Sequence, residues 1–314
     1  MPNPTPKILI ICGPTASGKT NLALSIADKL LLQHLSVNIL SADSRQVYQS
    51  LDIVTGKDIP QDLSPNINFF GLDLVEPHQV YNLADFVSYA QNIIQSSIKE
   101  QVPLIIVGGT GLYLKAITSD LLNVHVPPNQ PLRHDLEKLD LPSLQSRLLA
   151  INPQKFESLN NSDLHNPRRL IRAIEIASSL TTPVIASEAR QSIKTVRPYF
   201  HWIGLRQEKE ALKEKIRQRV LNRLITDAIE EVEKLMEKYP DHHLPIFTSL
   251  GVKEIVQYLK KDITREKLID SWTNSEIDYA RRQMVWFQKQ PDIFWYDKST
   301  VDASVADKLA EIYK

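Results

Sequence analysis

The sequence lacks the features of several protein classes: it has a single cysteine and no long apolar run in 314 residues. Because Cys12 stands alone, an intramolecular disulfide and a zinc site built from cysteines are excluded. The position of Cys12 at the end of an apolar segment predicts a thiol packed in the core. The longest apolar stretches, such as residues 8–12, fall far short of the ~20 residues of a membrane-spanning helix. Since Lys7 is followed by only five apolar residues, a signal peptide is not expected, and we predict a cytoplasmic protein.

The chain also lacks net charge, since Lys plus Arg and Asp plus Glu both total 37. Its charges are unevenly distributed, however. Residues 1–120 hold 7 basic and 10 acidic side chains, whereas residues 165–223 hold 13 basic and 5 acidic ones. A local excess of this kind is typical of a surface that binds nucleic acid. A solvated helix with mixed charges explains the excess equally well, so charge alone leaves both interpretations open.

Strand and helix patterns alternate in the first third of the chain, which predicts a parallel sheet with crossover helices and hence an α/β fold. Asn82 is placed to cap one of the helices. The predicted strands are Lys7–Cys12, Val37–Ser41 and Leu104–Val107, and the predicted helices are Lys19–Leu32 and the segment from Asn82 to about Lys99.

The pattern changes to short helices from about Leu121. We therefore predict a helical insertion at 121–198 within one catalytic core formed by 1–120 and 199–314. Within the insertion, Thr181–Arg197 has no clean period and is expected to be a loop. The other predicted elements are helices at Leu132–Leu139, Leu144–Leu149, Arg168–Ser178, Glu208–Lys238 and Arg265–Lys289, and a strand at Tyr199–Leu205.

A phosphate-binding motif lies between the first strand and the first helix. Glycines let the backbone wrap an anion, and the N–H groups at the helix N-terminus point at its oxygens. Lys19 supplies a mobile positive charge, and the hydroxyl of Thr20 can hold Mg²⁺. The motif predicts binding of a diphosphate or triphosphate by Gly13, Pro14, Thr15, Ala16, Ser17, Gly18, Lys19 and Thr20.

The most apolar of the later strands, Leu104–Val107, is not followed by the carboxylate that ATPases and GTPases use to help hold their metal. A carboxylate, Asp43, instead follows the second strand, and Thr110 follows the third. Because parallel strands end at the same edge of a sheet, Asp43 and Thr110 are expected to flank the phosphate site. Such a pair suits the activation of a nucleophile that attacks near a bound phosphate. An ordinary turn or helix-cap role for Asp43 stays open at this point.

In this order, the motifs closely resemble those of the tRNA dimethylallyltransferase family in its shorter bacterial form. The resemblance implies a catalytic core like that of P-loop nucleoside triphosphate hydrolases. It extends over most of the chain and rests on six blocks: GPTASGKT at 13–20, SADSRQVYQSLDIVTGK at 41–57, ADF at 84–86, GGTGLY at 108–113, HNPRRLIRAIEI at 165–176 and ARRQMVWF at 280–287.

The resemblance implies transfer of a dimethylallyl group from dimethylallyl diphosphate to N6 of the adenosine next to the anticodon in tRNA. The diphosphate would lie in the P-loop, with Lys19 and Mg²⁺ stabilising its charge as it departs. Asp43 would accept the proton of the amine, and Thr110 would orient that amine. Arg45, Gln46, Asp52 and Lys57 would line the adenine or diphosphate site.

The expected partner is a tRNA anticodon stem-loop, and the resemblance favours a monomer. Reaching the adenosine requires extruding it from the base stack. Trp286 and Phe287 are expected to pack in the core, with base stacking as the alternative. By resemblance, the residues that would contact tRNA are Asp43, Ser44, Arg45, Gln46, Thr110, Arg133, Arg168, Arg169, Leu170, Ile171, Arg172, Arg281, Arg282 and Gln283.

Three sites, with six residues in all, depart from the family pattern. Val252 stands where a tyrosine is frequent, and Phe69 and Phe70 stand where a histidine is common. Residues 276–278, which are Glu, Ile and Asp, replace a common Thr, Arg and Gln. Two alternative activities stay open: prenylation of free AMP, ADP or ATP by an adenylate isopentenyltransferase, and phosphate transfer by a P-loop kinase of small molecules. A non-catalytic RNA-binding protein would not need an intact phosphate site beside Asp43.

Overall fold

A computed structural model describes residues 7–60, 62–119, 126–180 and 199–313. The chain forms two compact units. The first, here the core unit, comprises Met1–Ser119 and Val196–Lys314, and the second, the helical unit, comprises Asp120–Thr195. Within the described ranges, no helix combines the length and the apolar character needed to span a bilayer.

The core unit contains a six-stranded sheet in which every neighbouring pair is parallel, which confirms the predicted α/β class. Along the sheet the strands follow the order β3-β2-β4-β1-β5-β6. The strands are β1 (Lys7–Cys12), β2 (Val37–Ser41), β3 (Ile67–Phe70), β4 (Leu104–Gly108), β5 (Tyr199–Arg206) and β6 (Ile293–Asp297).

The four central strands agree with the sequence prediction because they are nearly continuous apolar runs, which is typical of strands covered on both faces. Side chains of β1 from Ile8 to Cys12 are at most 2% exposed. Cys12 is a buried free thiol, which confirms its predicted place in the core. Its burial raises its pKa to about 12. The edge strands β3 and β6 were not predicted, since each buries only its first residue.

Helices of the core unit cover the sheet and extend beyond it. They are α1 (Lys19–Leu30), α2 (Asp52–Thr55), α3 (Leu83–Glu100), α4 (Gly111–Thr118), α10 (Lys209–Ile225), α11 (Ala228–Lys238), α12 (Val252–Leu259), α13 (Arg265–Phe287) and α14 (Ala303–Ala310). As predicted, the side chain of Asn82 caps α3 by accepting the N–H groups of Ala84 and Asp85.

The prediction of one helix over 208–238 is wrong. The chain breaks between α10 and α11 at Asp227, whose φ of 69° lies in the left-handed region. The break lets the apolar faces of both helices pack in one cluster, in which Leu224 and Val232 are buried with Trp272. The apolar spacing continues through the break, so periodicity alone does not reveal it.

The helical unit consists of the short helices α5 (Gln130–Leu136), α6 (Leu141–Ile151), α7 (Pro153–Glu157), α8 (Asn161–Leu164) and α9 (Pro167–Leu180). Side chains of Asn or Asp cap the N-termini of α5 to α8, and a proline stands in the first turn of α5, α6 and α7. These signals explain how helices of four to eleven residues form there. Leu136, Leu148 and Leu170 bury the centre of the unit. The loop predicted at Thr181–Arg197 lies outside the described residues.

Candidate active site

The P-loop, residues 13–20, connects β1 to α1. Its backbone has positive φ at Gly13 (140°), Ala16 (59°) and Gly18 (87°). A Cβ atom on Gly13 would lie only 2.5 Å from the carbonyl oxygen of Leu205 in β5, so the loop's approach to that strand requires glycine. The structure thus brings all eight predicted phosphate-binding residues into one turn at the N-terminus of α1. This arrangement favours anions.

Lys19 projects into the space that the P-loop encloses. Its Nζ donates a hydrogen bond to the carbonyl oxygen of Pro14 at 2.6 Å. Burial, followed by the neighbouring charge of Arg219, lowers the pKa of Lys19 to about 8, while Asp43 acts in the opposite direction. An anion bound at the P-loop would therefore stabilise the protonated form of Lys19.

Gln283 of α13 fastens the P-loop to the loop that carries Thr110. Its Oε1 accepts the N–H of Thr15 at 2.8 Å, and its Nε2 donates to the carbonyl oxygen of Gly109 at 2.9 Å. The side chain is buried, so both bonds are shielded from water. Gln283, which the resemblance assigned to tRNA contact, thus links two parts of the site through its amide.

Arg219 of α10 contacts the P-loop, although it lies 204 positions after Thr15 in the sequence. Its Nη1 donates to Oγ1 of Thr15 at 2.9 Å, and its Nη2 donates to Asp58 at 2.7 Å. Sequence reasoning missed this residue. Arg219 lies in a helix rich in Lys and Arg, and nothing local distinguishes it from the solvated cations of that helix.

A second cation that sequence reasoning missed lies against the P-loop. The stem of Lys298, just after β6, packs on Gly18: a Cβ atom on that glycine would be 3.2 Å from Cε of the lysine. Within the described ranges, Lys298 forms no ion pair. Together with Lys19 and Arg219, it makes this end of α1 strongly electropositive.

Asp43 and Thr110 lie at the carboxyl ends of β2 and β4, as predicted. The N–H of Ser44 donates to Oγ1 of Thr110 at 3.3 Å, and the N–H of Thr110 donates to the carbonyl oxygen of Ala42 at 3.3 Å. These two bonds hold the Asp43 backbone and the threonine hydroxyl side by side. Oδ1 of Asp43 accepts the N–H of Arg45 at 2.9 Å, so the carboxylate also forms the local turn considered as its alternative role.

Tyr279 of α13 completes this group, and sequence reasoning did not identify it. Its hydroxyl shares a hydrogen bond with Thr110. Burial, with a smaller effect from the charge of Asp43, raises the pKa of Tyr279, which keeps the phenol neutral. The threonine hydroxyl is thereby held between a tyrosine and the turn that begins at Asp43.

Lys19, Asp43, Arg219, Tyr279 and Gln283 border one cavity of about 1310 Å³ within the core unit, whereas Thr110 and Lys298 are not among its lining residues. Residues that follow Asp43 form part of the cavity wall, and hydrogen bonds and ion pairs hold their side chains in place. Gln46 donates to the carbonyl oxygen of Gly56 at 2.8 Å, and Lys57 forms ion pairs with Asp52, at 2.8 Å, and Asp73. The predicted lining residues Arg45, Gln46, Asp52 and Lys57 all border this cavity, together with Thr15, Lys19, Thr20, Asp43, Ser44, Arg219, Glu276, Tyr279 and Arg282.

The P-loop end of the cavity is suited to Mg²⁺ held mainly by a bound phosphate. Thr20 borders the cavity, and the buried Oγ of Ser17 has no hydrogen-bond partner in the structure. Among the described residues, His, Cys, Asp and Glu nowhere form a group of three that could hold a metal. Mg²⁺ commonly takes one or two protein oxygens and completes its shell with phosphate oxygens and water, which fits this donor set.

The two arginines of α13 differ from each other. Arg282 borders the cavity and its guanidinium lies 5.8 Å from the ring centre of Tyr279. Arg281 is exposed and lies 3.6 Å from Asp278, one of the residues that depart from the family pattern. Further along α13, Phe287 is buried and Trp286 packs on Gly111, which supports the core role expected of this pair.

In the helical unit, the predicted arginines have distinct environments. Arg133 donates to Glu175 at 2.8 Å, and Arg172 donates to the carbonyl oxygen of Val126 at 2.7 Å and pairs with the same buried glutamate. Arg169 pairs with Asp163, whereas Arg168 is exposed. The side chains of Leu170 and Ile171 are buried in the core of this unit. Contact of α9 with RNA would therefore come from its exposed polar face.

Comparisons with known proteins agree with this geometry. The family model described as IPP transferase matches residues 46–290. A tRNA dimethylallyltransferase of Picosynechococcus sp. is 34% identical over 300 residues, covering 95% of this chain and 96% of that protein. A solved full-length tRNA isopentenylpyrophosphate transferase from Bacillus halodurans superimposes with a TM-score of 0.68 at 27% identity, covering 98% of this chain and 96% of the other.

A eukaryotic dimethylallyltransferase acting on tRNA has a TM-score of 0.77 at 22% identity, covering 98% of this chain and 77% of the other, and so shows the shared fold. The family model spans well over half of the chain, and the bacterial relative covers nearly all of it. The chain therefore belongs to the IPP transferase family, the family of the tRNA dimethylallyltransferases.

Proposed function

We propose that this enzyme transfers a dimethylallyl group from dimethylallyl diphosphate to N6 of the adenosine next to the anticodon in tRNA, releasing diphosphate. One observation carries the proposal: Lys19, Arg219 and Asp43 border a single cavity that begins at the P-loop. Cations and backbone N–H groups at one end suit a diphosphate, and a carboxylate beside them suits a proton-losing nucleophile.

The diphosphate of the donor would bind to the backbone N–H groups of residues 13–20. As the bond between C1 and oxygen breaks, negative charge builds up on the departing diphosphate. Lys19 and Arg219 stabilise this charge because both reach the P-loop. Fixed charges in a cavity screened from water are the usual main source of such stabilisation. When bound near Thr20, Mg²⁺ would add further neutralisation of the diphosphate charge.

The N6 amine of adenosine is a weak nucleophile because its lone pair is delocalised into the purine ring. Asp43 would accept its proton as the bond from N6 to C1 forms. The hydroxyl of Thr110, held by Ser44 and Tyr279, would orient the amine in line with C1. Alignment of this kind contributes as much as proton removal does, since it removes the freedom of the reacting atoms.

Binding of the anticodon stem-loop would combine base contacts at the cavity with phosphate contacts elsewhere. Ser44, Arg45, Gln46 and Arg282 border the cavity that would receive the extruded base. In the helical unit, the exposed Arg168 is the best-placed phosphate contact. Arg133 and Arg172, which share Glu175, would present a fixed pair of guanidinium groups. The residues proposed to bind the prenyl donor and the adenosine acceptor all belong to one chain, so we propose that the enzyme acts as a monomer. We also propose that it acts in the cytoplasm.

The test is prenyl transfer from labelled dimethylallyl diphosphate to an unmodified anticodon stem-loop. Stem-loops that differ only at the base next to the anticodon serve as matched acceptors, with AMP and ATP in parallel reactions. We expect label only in stem-loops with adenosine at that position. Label only in AMP would replace the proposal with an adenylate isopentenyltransferase, and release of ADP from ATP without prenyl transfer would replace it with a kinase.

A further inference from the structure

A carboxylate outside the cavity holds one stretch of the cavity wall. Residues 52–58, which comprise α2 and the turn after it, all border the cavity. Glu231 of α11 contacts the start of this stretch. Its Oε1 accepts the N–H groups of Asp52 at 2.6 Å and Ile53 at 2.9 Å, and its Oε2 accepts the N–H of Val54 at 2.8 Å. Glu231 is not among the described residues that border the cavity, so any effect it has on a ligand is indirect.

The short helix α2 depends on this carboxylate for its order. Helices far shorter than ~12 residues are not stable on their own in water, and α2 has four residues. The first N–H groups of a helix have no partner within the helix. The side chain of the N-cap residue, Leu51, makes no hydrogen bond to them, and Glu231 supplies the acceptors instead. Burial raises the pKa of Glu231, and the three N–H groups oppose that rise by stabilising the charged form.

The turn after α2 connects this cap to the P-loop. The carbonyl oxygen of Gly56 accepts Nη2 of Arg219 at 3.5 Å, and a Cβ atom on Gly56 would lie 2.2 Å from that nitrogen. The same Nη2 donates to Asp58 at 2.7 Å, whereas Nη1 donates to Oγ1 of Thr15 at 2.9 Å. One end of the guanidinium group is therefore held by residues 56–58, and the other end contacts the P-loop.

We propose that Glu231 is a positioning residue for the diphosphate: by capping α2, it keeps residues 56–58 where they hold Arg219 against the P-loop. Without the cap, the turn samples positions from which Arg219 does not reach Thr15. The apparent affinity for a diphosphate then falls in proportion to the fraction of molecules that keep the ordered turn. This inference rests on the proposed function for the identity of the diphosphate that binds, and it adds a residue remote from the reacting atoms.

Calorimetric titration with inorganic pyrophosphate tests this role in two variants. Glu231→Ala removes all three hydrogen bonds. Glu231→Gln keeps the shape of the side chain and one carbonyl oxygen, but it turns an amide N–H₂ group towards the N–H of Val54. We expect Kd to rise by about 10-fold in Glu231→Gln, as for loss of one hydrogen bond to a charged group, and by more in Glu231→Ala.

The comparison with glutamine separates positioning from packing. A side chain that only fills space would be replaced by the isosteric glutamine without any change in Kd. In steady-state kinetics, the KM for the prenyl donor should rise in parallel with the Kd for pyrophosphate. The kcat should change less, because a saturating donor restores the ordered turn. Glu231→Gln alone carries the test should Glu231→Ala fail to fold.

A double-variant cycle identifies the route by which Glu231 acts. Arg219→Met removes the guanidinium group and should raise the Kd for pyrophosphate by itself. Glu231→Gln added to Arg219→Met should raise Kd no further, because the two residues act through one contact with the P-loop. Effects that multiply would show that Glu231 acts by a route other than Arg219, and the inference would be wrong.

The control and the remaining outcomes keep this inference apart from the proposed function. Glu233→Gln changes an exposed carboxylate on the same helix and should keep the wild-type Kd. An unchanged Kd in both Glu231 variants overturns the inference, since the ion pair between Lys57 and Asp52 would then suffice to hold α2, and it leaves the prenyl transfer intact. The expected changes in Kd without prenyl transfer by the wild-type enzyme overturn the proposed function and leave the role of Glu231 intact.

Discussion

At the scale of single residues, the protonation state of Lys19 makes the affinity for the donor depend on pH. Its pKa of about 8 in the free protein means that the ammonium group loses its proton as the pH rises through that value. An anion at the P-loop favours the protonated form. We therefore expect the apparent Kd for inorganic pyrophosphate, divided by that of Lys19→Arg at the same pH, to rise by up to about tenfold per pH unit above pH 8, because the titration of pyrophosphate itself is common to both proteins. Calorimetric titrations of both proteins between pH 6.5 and 9.5 measure this ratio, and Lys19→Arg is the reference because its side chain stays charged.

Asp43 is the residue on which the proposed chemistry depends most directly. Asp43→Asn keeps an acceptor for the N–H of Arg45 but cannot take a proton. We expect kcat to fall by ~10²-fold or more, as for loss of a general base. The affinity for the stem-loop should change little. Single-turnover kinetics and filter binding measure the two quantities, and near-normal turnover would remove Asp43 from the mechanism.

Gln283 tests the scaffold around the P-loop. Gln283→Ala leaves the N–H of Thr15 and the carbonyl of Gly109 unpaired in a buried place. We expect the free energy of unfolding to fall by ~1–3 kcal/mol and the KM for the donor to rise. Urea unfolding and steady-state kinetics measure these effects. Gln288→Ala, at an exposed position on the same part of the chain, is the control, and equal effects of the two variants would contradict the assignment.

At the scale of elements, α9 carries the clearest contrast between a paired and an unpaired arginine. Both Arg168 and Arg169 are exposed, but Arg169 pairs with Asp163, whereas Arg168 forms no ion pair with any residue in the described ranges. If Arg168 contacts an RNA phosphate, Arg168→Ala should flatten the dependence of log K on log salt by up to about one unit. Lys155→Ala, at an exposed position in the same helical unit, is the matched control. Unchanged affinity and slope in Arg168→Ala would rule out this contact.

Elements were predictable from the sequence where burial imposes a regular pattern. The strands around Leu9 and Ile106 are apolar throughout because helices cover both faces, and their ends fixed the places of Asp43 and Thr110. The edge strands β3 and β6 carry no such pattern. The break at Asp227 was equally hidden, because an aspartate tolerates the left-handed region but does not by itself indicate it.

The candidate site was predictable only where its residues lie close together in the sequence. The P-loop is one continuous turn, and Asp43 directly follows a strand. Arg219 contacts Thr15 across 204 positions, and Gln283 does so across 268. Contacts of this kind depend on how helices distant in the sequence pack together. Local periodicity and composition carry no information on that packing.

At the scale of the whole molecule, the described cations of residues 165–223 lie in different environments. Some lie in the helical unit, where Arg168 is exposed. Others lie on α10, where Arg219 and Arg223 turn into the cavity of the core unit. The basic surface expected from the sequence therefore explains only part of the excess, because Arg219 and Arg223 border the cavity instead.

The bond between Gln283 and Thr15 has a consequence for how the protein is made. The P-loop is synthesised before the amide that secures it, which follows 268 residues later. Because contacts so distant in sequence form late in folding, the nascent chain carries a phosphate-binding sequence long before it can hold a ligand. Competence to bind the donor thus arises only after Gln283 has been synthesised.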